Sequence, residues 1–287
     1  MVLDVLVGSL RDWSLFSLAG LAFVLVFKTT GVFNLAQGHL MLLTVYVAYS
    51  LQTVIGSSWV VLLCVLAIQV PLGVALGVLL RQSVKRRSLW AAAVVTLGLG
   101  IALEGVFSWV WGSGSYQLAS PLPESYLSIG GARLTVLELA LVGLALAAMA
   151  ATLSWQKWTR AGLAIRAASA DPLLASQTGL RVERIFLVAF CSGAVIAAIA
   201  AMGYGYRLGA SSTLIMIGLG ALSPAVIGGL DSLGGVFAGA ALAALTLQVA
   251  AQLLGGQAAT VALFALVLLT LTIRPSGLFG TQTVQRA

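Results

Sequence analysis

Few side chains in this 287-residue sequence have the chemistry that catalysis or metal binding requires. There is one histidine, His39, and the two cysteines, Cys64 and Cys191, lie far apart inside apolar runs. Hydrolysis and metal chemistry need several such groups close together, often with paired carboxylates, and no such set is visible. The glycine-rich loop that holds nucleotide phosphates is also missing. We therefore expect no catalytic residues, no metal site and no bound cofactor, and we interpret both cysteines as small core residues.

A second group of residues is polar but lies in apolar surroundings. Glu104 interrupts an apolar run, and Asn34, Gln37 and His39 lie close together near another. A charge at the centre of a membrane costs about 2.5–3.5 kcal/mol, so an intramembrane acid is a candidate functional residue. Glu104 could instead be protonated and hydrogen-bonded to a neighbouring helix. His39 could line a solute pathway, but with no acidic partner evident, the edge of a packed helix is the preferred interpretation.

The composition shows why polar residues are informative in this chain. Hydrophobic residues make up 60% of the sequence and charged residues only 8%, whereas a soluble domain carries roughly 25% charged residues. Apolar runs recur at close to the ~20 residues that a membrane-spanning helix needs, and they are continuous rather than alternating, which excludes a barrel. The predicted fold class is all-α: a single domain over 1–287, built as a polytopic transmembrane helical bundle of about eight or nine spans.

The connections between the spans predict the orientation. Basic residues crowd the connections at 81–87 and 157–184 and follow the last span. The positive-inside rule places these connections in the cytoplasm, with the N-terminus outside and the C-terminus inside. The segment 112–131 is rich in turn-forming residues and is expected to be an outside loop. The basic residues therefore act as topology signals, and nucleic acid is not an expected partner. The spans are predicted at about 8–28, 32–54, 58–80, 89–111, 134–153, 185–206, 211–229, 235–254 and 258–273.

Two stretches, 31–39 and 218–235, contain too much glycine for ordinary spans. They fall in the two halves of the chain, and interruptions at matching places in two halves point to a transport pathway. Irregular backbone at membrane depth survives only where protein or a water-filled cavity covers it. Close helix packing through small residues is the alternative interpretation. The residues predicted to line the pathway are Asn34, Gln37, Gly38, His39, Glu104, Ser223 and Pro224.

The longest connection on the predicted inner side, about 155–184, contains a short capped helix. Asp171 is a good N-cap, Pro172 suits the first helical position, and Gly179 suits the residue that ends the helix. A connection that only joins two spans needs no such element. We therefore interpret the helix as a docking element, with a short interfacial helix resting on lipid as the alternative.

The order of motifs along the chain resembles the branched-chain amino acid (Liv-type) permease family of ATP-binding cassette importers. Residues 31–38 look like the family's G-x-x-N-x-A-x-G segment, 228–235 resemble its G-G-x-G-S-x-x-G turn, and 274–280 resemble its closing R-P-x-G-L-F-G. Two positions depart from the pattern: His39 replaces a frequent Glu, and Asp231 stands where Gly is common. The inner loop matches the family's coupling loop at Arg160, Gly162, Arg166, Asp171, Ala175 and Gly179, which the resemblance implies are the residues that couple to an ATPase.

The resemblance covers essentially the whole chain and implies its function and partners. The protein would be a non-enzymatic permease subunit in the bacterial inner membrane, importing branched-chain or related amino acids. Its partners would be two ATP-binding cassette ATPase subunits that use the ATP, a second related permease subunit, and a periplasmic or lipid-anchored solute-binding protein. Membrane lipid would surround the chain. Two alternatives stay open. Related permeases take urea or short amides, and a stand-alone secondary transporter would use Glu104 as its proton or ion site.

Overall fold

The structure is a computed structural model that describes residues 2–85, 89–129, 132–170, 175, 177 and 180–280. Helices account for most of these residues, and a short antiparallel hairpin is the exception. The elements are α1 (Val2–Thr30), α2 (Gln37–Ile55), α3 (Ser58–Lys85), α4 (Leu89–Val110), β1 (Tyr126–Ile129), β2 (Ala132–Thr135), α5 (Val136–Trp158), α6 (Arg160–Ala170), α7 (Val182–Leu208), α8 (Thr213–Gly220), α9 (Leu222–Gly228), α10 (Leu233–Leu254) and α11 (Gly256–Ile273).

Within the described residues, 8 helices are long and apolar enough to cross a membrane: α1, α2, α3, α4, α5, α7, α10 and α11. This confirms the prediction of a polytopic helical membrane protein. Helix α4 shows the expected dimensions, because Trp90 and Trp109 are 85% and 87% exposed near its two ends. Tryptophan favours the two membrane–water interfaces, and 19 helical residues rise ~28 Å, close to the ~30 Å of hydrocarbon. The orientation of the termini stays a prediction.

The span predicted at 211–229 is not one continuous helix. The structure has two short helices there, α8 with 8 residues and α9 with 7 residues, separated at Ala221. An 8-residue helix rises only ~12 Å, well short of the hydrocarbon thickness. Gly218 and Gly220 precede the break, and Pro224 follows it in the first turn of α9. Glycine and proline weaken a continuous helix, so hydropathy alone overestimated the length of the element.

The hairpin β1–β2 is the one departure from helix among the described elements. Its strands pair antiparallel, with Tyr126 opposite Thr135 and Leu127 opposite Leu134. The Arg133 guanidinium lies 4.9 Å from the centre of the Tyr126 ring. The sequence analysis expected only turns in the segment 112–131. The alternating residues of β1, followed by Gly130-Gly131 in the sequence, were the signal for a hairpin that the analysis missed.

The chain divides into two compact units. The first contains Met1–Val24, Glu124–Leu153 and Ala221–Ala287, and the second contains Leu25–Pro123 and Ser154–Gly220. Each unit therefore takes in several separate stretches of sequence. Whether they act as one permease domain, as the sequence predicted, stays a prediction.

The core of the second unit forms where α3 packs against α7. A methyl group added at Gly73 would lie 2.6 Å from the Cα of Cys191, so the two helix backbones are in direct contact. Val26, Leu80 and Phe190 belong to the buried apolar cluster beside this contact. In a membrane, lipid is as apolar as leucine, so helices associate mainly by close van der Waals packing. Glycine at the crossing allows that close approach.

The first unit joins two motifs that lie far apart in the sequence. The chain after α11 turns back, and the N–H groups of Leu278 and Phe279 donate to the carbonyl oxygens of Ile227 and Gly228, both over 2.9 Å. A methyl group at Gly277 would lie 2.6 Å from the Cα of Gly229, and Gly277 has φ +81°. The closing 274–280 motif thus satisfies carbonyl groups at the end of α9, which a helix cannot satisfy itself.

Glu138 caps helix α5 and pairs with α1. Its carboxylate accepts a hydrogen bond from the Thr135 N–H over 2.9 Å, and the Glu138 N–H donates to the Thr135 hydroxyl. This reciprocal arrangement is a capping box. The other carboxylate oxygen accepts from Arg11 Nη1 over 3.1 Å, and Glu138 is 5% exposed. The sequence analysis did not select Glu138 as a site residue, and the geometry gives it a structural role.

Removing the Glu138 carboxylate is expected to destabilise the first unit. The Glu138→Ala variant loses both the cap and the ion pair, and loss of a cap alone costs about 1 kcal/mol. Glu138→Gln keeps one side-chain oxygen for the Thr135 N–H, but it loses the charge and the second acceptor that binds Arg11. Thermal unfolding in detergent should therefore give a melting temperature that falls from wild type to Gln and further to Ala. Equal melting temperatures for the three proteins would contradict this role.

Candidate functional site

The first glycine-rich stretch forms a non-helical link between α1 and α2. Helix α1 ends where Gly31 adopts φ +71° and its N–H donates to the Phe27 carbonyl over 2.7 Å. The hydroxyl groups of Thr29 and Thr30 donate back to carbonyl oxygens four residues earlier. Helix α2 begins only at Gln37, whose N–H donates to the Asn34 carbonyl. The predicted second span thus starts five residues later than expected, after irregular backbone.

Thr96 of α4 supports this irregular link. Its hydroxyl oxygen accepts from the Leu35 N–H over 3.1 Å and lies 3.3 Å from the Phe33 carbonyl oxygen. Thr96 is fully buried. Irregular backbone at membrane depth needs such partners, because no water is available there to pair its polar groups. The sequence analysis missed Thr96, since a single threonine in an apolar run gives no signal by itself.

The two glycine-rich stretches meet inside the second unit, at Gly38 of α2 and Gly218 of α8. A methyl group added at Gly38 would lie 2.3 Å from the Ile215 carbonyl oxygen, and one added at Gly218 would lie 2.4 Å from the Gly38 Cα. No side chain fits at either position. The sequence predicted that these stretches share a role, and the structure places part of the second stretch directly against the first.

Gly38→Ala is expected to disrupt this crossing. The added methyl group meets backbone atoms, which cannot rotate away, and overpacking of this kind costs about 1–3 kcal/mol. Gly98→Ala is the matched control, because a methyl group there has no neighbour within 4 Å in the chain. The measurement is the yield of monodisperse protein and its melting temperature in detergent. We expect Gly38→Ala to lower both and Gly98→Ala to lower neither; equal behaviour would show that the crossing is loose.

A small cavity with a partly polar lining lies between α2, α3 and α7, entirely within the second unit. The volume of the cavity that the centre of a water molecule can occupy is about 20 Å³. Four of the lining side chains carry uncharged polar groups: Asn34, Gln37, Thr44 and Gln69. The remaining lining residues are apolar or glycine: Val26, Leu40, Leu72, Gly73, Leu76, Gly193, Ala194 and Ala197. Pathways through membrane proteins are often built from such discontinuous helices near the middle of the bilayer.

The polar side chains of the cavity form two hydrogen-bonded pairs. Asn34 Nδ2 donates to Gln37 Oε1 over 3.1 Å, and Gln69 Nε2 donates to the Thr44 hydroxyl over 3.0 Å. The Thr44 hydroxyl in turn donates to the Leu40 carbonyl over 2.8 Å. All four residues are at most 6% exposed. The sequence did not indicate Thr44 and Gln69 as site residues, because a single hydroxyl or amide group in an apolar helix can equally well serve helix packing.

His39 and Glu104 form a pair within the second unit. His39 Nε2 lies 3.1 Å from Glu104 Oε1. The His39 side chain is 9% exposed and that of Glu104 is 54% exposed. The His39 ring also packs against the backbone at Gly100, where a methyl group would lie 2.7 Å from Nδ1. The sequence analysis saw no acidic partner for His39, and that premise is wrong: α4 brings one from 65 positions away.

The other two predicted pathway residues, Ser223 and Pro224, lie elsewhere. Both belong to α9 in the first unit and do not line the cavity. They are buried where α9 packs on α10, and a methyl group at Gly239 would lie 2.2 Å from the Pro224 carbonyl oxygen. Helix packing, the alternative that the sequence analysis kept open, describes this part of the second stretch. A pathway role for Ser223 and Pro224 stays a prediction.

Helix α6 carries the first half of the predicted coupling loop. The Thr159 hydroxyl accepts from the Gly162 N–H over 3.0 Å, as an N-cap does. A methyl group at Gly162 would lie 2.3 Å from the Trp155 carbonyl oxygen, so glycine is needed for the tight turn from α5 into α6. Ile165 is buried, whereas Arg160, Leu163 and Arg166 are exposed. Helix α6 therefore buries one apolar side against the rest of the chain and exposes a basic side.

The second half of the predicted loop falls mostly outside the described residues. Asp171 and Gly179, and hence the predicted caps, are among the residues not described. Ala175 is described and is 4% exposed. The predicted role of Ala175 in coupling to an ATPase stays a prediction. Among the described residues of the loop, the exposed basic side of α6 is a further candidate contact surface.

The described residues offer no group of three or more His, Cys, Asp or Glu side chains that could hold a metal ion. What the fold and the site define is a multi-pass helical membrane protein with an irregular link between two of its helices and a small, partly polar cavity beside that link. Such a constellation is typical of transporters.

Comparisons with known proteins identify the family. Residues 5–273 match the family described as branched-chain amino acid transport system / permease component, and the chain belongs to this family. The high-affinity branched-chain amino acid transport system permease protein LivH of Escherichia coli is 24% identical over 289 residues, covering 95% of this chain and 94% of LivH. LivH of Salmonella typhimurium gives the same values. The corresponding protein BraD of Pseudomonas aeruginosa is 24% identical over 299 residues, covering 99% of this chain and 97% of BraD. No solved structure matches the chain significantly.

Proposed function

We propose that this chain is the membrane-spanning permease subunit of an ATP-driven importer that carries branched-chain or related amino acids across the bacterial inner membrane. The observation that carries the proposal is the cavity between α2, α3 and α7, whose polar lining groups are all uncharged, in a chain of the permease family. Its polar lining consists of amide and hydroxyl groups. Such a lining suits a solute without net charge, because it offers donors and acceptors but no ion to pair with a charged solute.

The pathway in this proposal runs past Asn34, Gln37 and Gly38, with Thr44 and Gln69 as further lining residues. The cavity as it stands has room for little more than one water molecule, so a solute could pass only after the helices move apart. A small-residue crossing such as Gly38–Gly218 suits a movement of this kind, because it has no interlocking side chains to separate. The His39–Glu104 pair joins α2 to α4 next to Gly38, and we include it in the proposed pathway wall, although α4 does not line the cavity itself.

Energy for this movement would come from separate subunits. The proposed complex contains two ATP-binding cassette ATPase subunits, a second related permease subunit, and a periplasmic or lipid-anchored solute-binding protein. The ATPase subunits would contact the exposed side of α6, where Arg160 and Arg166 flank Leu163, which is 60% exposed. An exposed apolar residue between two arginines is complementary to a protein surface that has an apolar pocket surrounded by acidic residues. ATP would be used by the partners.

Permeases for urea or short amides are the second candidate, because the uncharged cavity suits those solutes equally well. The test is uptake of radiolabelled leucine and radiolabelled urea into proteoliposomes that hold the complete complex and its solute-binding protein. We expect saturable leucine uptake that excess isoleucine inhibits and urea does not. Uptake of urea alone would favour the second candidate, and uptake of neither solute would overturn both.

A further inference from the structure

Asn34 and Gln37, which line the cavity beside α2, each have one buried polar atom that has no hydrogen-bond partner among the described residues. Asn34 Oδ1 and Gln37 Nε2 are both buried, and neither makes a hydrogen bond to another group within the described part of the chain. Asn34 is 4% exposed and Gln37 is 6% exposed. Buried polar groups in native proteins are almost always paired with protein or with ordered water. Two such atoms at the wall of one cavity therefore point to something bound between them.

The chemistry of the missing partner does not depend on how the two amides are oriented. One amide donates to the other, which leaves one acceptor and one donor unpaired. If both amide groups are turned over, the roles of Asn34 and Gln37 exchange, and again one acceptor and one donor remain. The partner must consequently donate one hydrogen bond and accept another at the same time. A metal ion or a simple anion cannot do both.

The size of the cavity sets an upper limit on the partner. A bound water needs roughly 10–15 Å³ of space for its centre, as well as two or more polar neighbours. The cavity provides about 20 Å³ and is lined by the amides of Asn34, Gln37 and Gln69 and the hydroxyl of Thr44. Purely apolar cavities stay dry, but this one is polar on one side. An amino acid or a lipid chain is far too large for it.

We propose that the cavity binds one water molecule, which donates a hydrogen bond to one of the Asn34 and Gln37 amides and accepts one from the other. This water satisfies the polar groups of the link between α1 and α2 at a depth where bulk water is absent. It thereby holds the link in its irregular conformation. The inference does not require that the chain transports any particular solute, so it stands or falls separately from the proposed function.

Hydroxyl-radical labelling by X-ray radiolysis tests this directly, because the radicals form from water at the place where it is bound. The purified full-length chain is irradiated, and oxidation of each residue is measured by mass spectrometry. Leu40, Leu72 and Leu76 line the cavity. Leu18 and Leu21, both fully buried in α1, are the controls. Leu40 and Leu72 are partly exposed, so the decisive comparison is made at Leu76, which is buried with 8% exposure. We expect Leu76 to be oxidised several-fold faster than the controls, because a bound water is the nearest source of radicals. Equal rates would overturn the proposal.

A variant series gives a second, independent readout. Asn34→Leu leaves the Gln37 amide without its partner and is expected to lower the melting temperature by roughly 2–4 °C. The double variant Asn34→Leu/Gln37→Leu removes both amides and should recover part of that loss, while the faster oxidation of Leu76 disappears. Persistent oxidation in a folded double variant would show that the water is held elsewhere, against the proposal. Should the double variant fail to fold, the wild-type rates decide the question alone.

Discussion

Reversing two charges on α6, with Arg160→Glu and Arg166→Glu together, is expected to abolish ATP-dependent uptake while the chain still inserts and folds. Both arginines are exposed on the side of α6 that the chain leaves open, whereas Ile165 and Gly162 hold the other side. The substitutions therefore disturb no internal packing. Like charges brought together at an interface cost several kcal/mol, and each 1.4 kcal/mol is about tenfold in binding. Docking of an ATPase on this surface would be lost.

The measurement is co-purification of the ATPase subunits with the permease, together with solute-stimulated ATP hydrolysis. The matched control is Lys157→Glu with Arg181→Glu, which changes the net charge equally on the same stretch of chain but not on α6. Charge also influences membrane orientation, and the control separates that effect from docking. Loss of the ATPase in both double variants would indicate altered insertion, and retention with normal hydrolysis in the α6 variant would show that α6 rests on lipid instead.

Replacing Gln69 by leucine is expected to reduce solute uptake by about five- to tenfold without weakening the protein. Gln69 donates to the Thr44 hydroxyl, and that hydroxyl keeps its own acceptor, the Leu40 carbonyl, when the amide is removed. The substitution is similar in volume and leaves no buried donor unpaired, so its effect on folding should be small. If the cavity lies on the pathway, the solute loses a hydrogen-bonding group worth about 1–1.5 kcal/mol.

The readouts are the initial rate of uptake in proteoliposomes and the melting temperature of the assembled complex. Thr152→Val is the control, because Thr152 is a buried hydroxyl in the first unit that bonds only to the preceding turn of its own helix. We expect normal uptake for Thr152→Val and unchanged melting temperatures for both variants. Normal uptake by Gln69→Leu would remove this cavity from the pathway and leave Gln69 as a packing residue.

The membrane-spanning helices could be predicted from the sequence because their signal is local. A run of about 20 apolar residues has one physical solution in lipid, a helix that pairs its own backbone. The same reasoning failed at 211–229, where the run is apolar enough but glycine and proline divide it into α8 and α9. Hydropathy measures the preference for lipid and not the continuity of a helix. The hairpin β1–β2 was not predicted for a related reason: its turn-forming residues were interpreted as a loop without strands.

The candidate site was only partly predictable. Asn34, Gln37 and Gly38 were found because they interrupt an otherwise apolar sequence together. Gln69 and the Glu104 partner of His39 reach that region from α3 and α4, and no local pattern indicates which helices pack side by side. Thr44 lies on α2 itself, but a single threonine in an apolar helix gives no signal. Conversely, Ser223 and Pro224 carried the same local signal as Gly38, yet they belong to the other unit. Long-range packing decides which polar residues share a cavity.

In the proposed function, the chain is a passive membrane subunit that separate ATPase subunits drive. The most direct measurement is radiolabelled leucine uptake into proteoliposomes that contain the permease pair and the solute-binding protein, with and without the ATPase subunits and with ATP enclosed on their side. The account predicts accumulation above the external concentration only when both the ATPase subunits and ATP are present. Accumulation of the same size without the ATPase subunits, driven by a proton or sodium gradient, would contradict it.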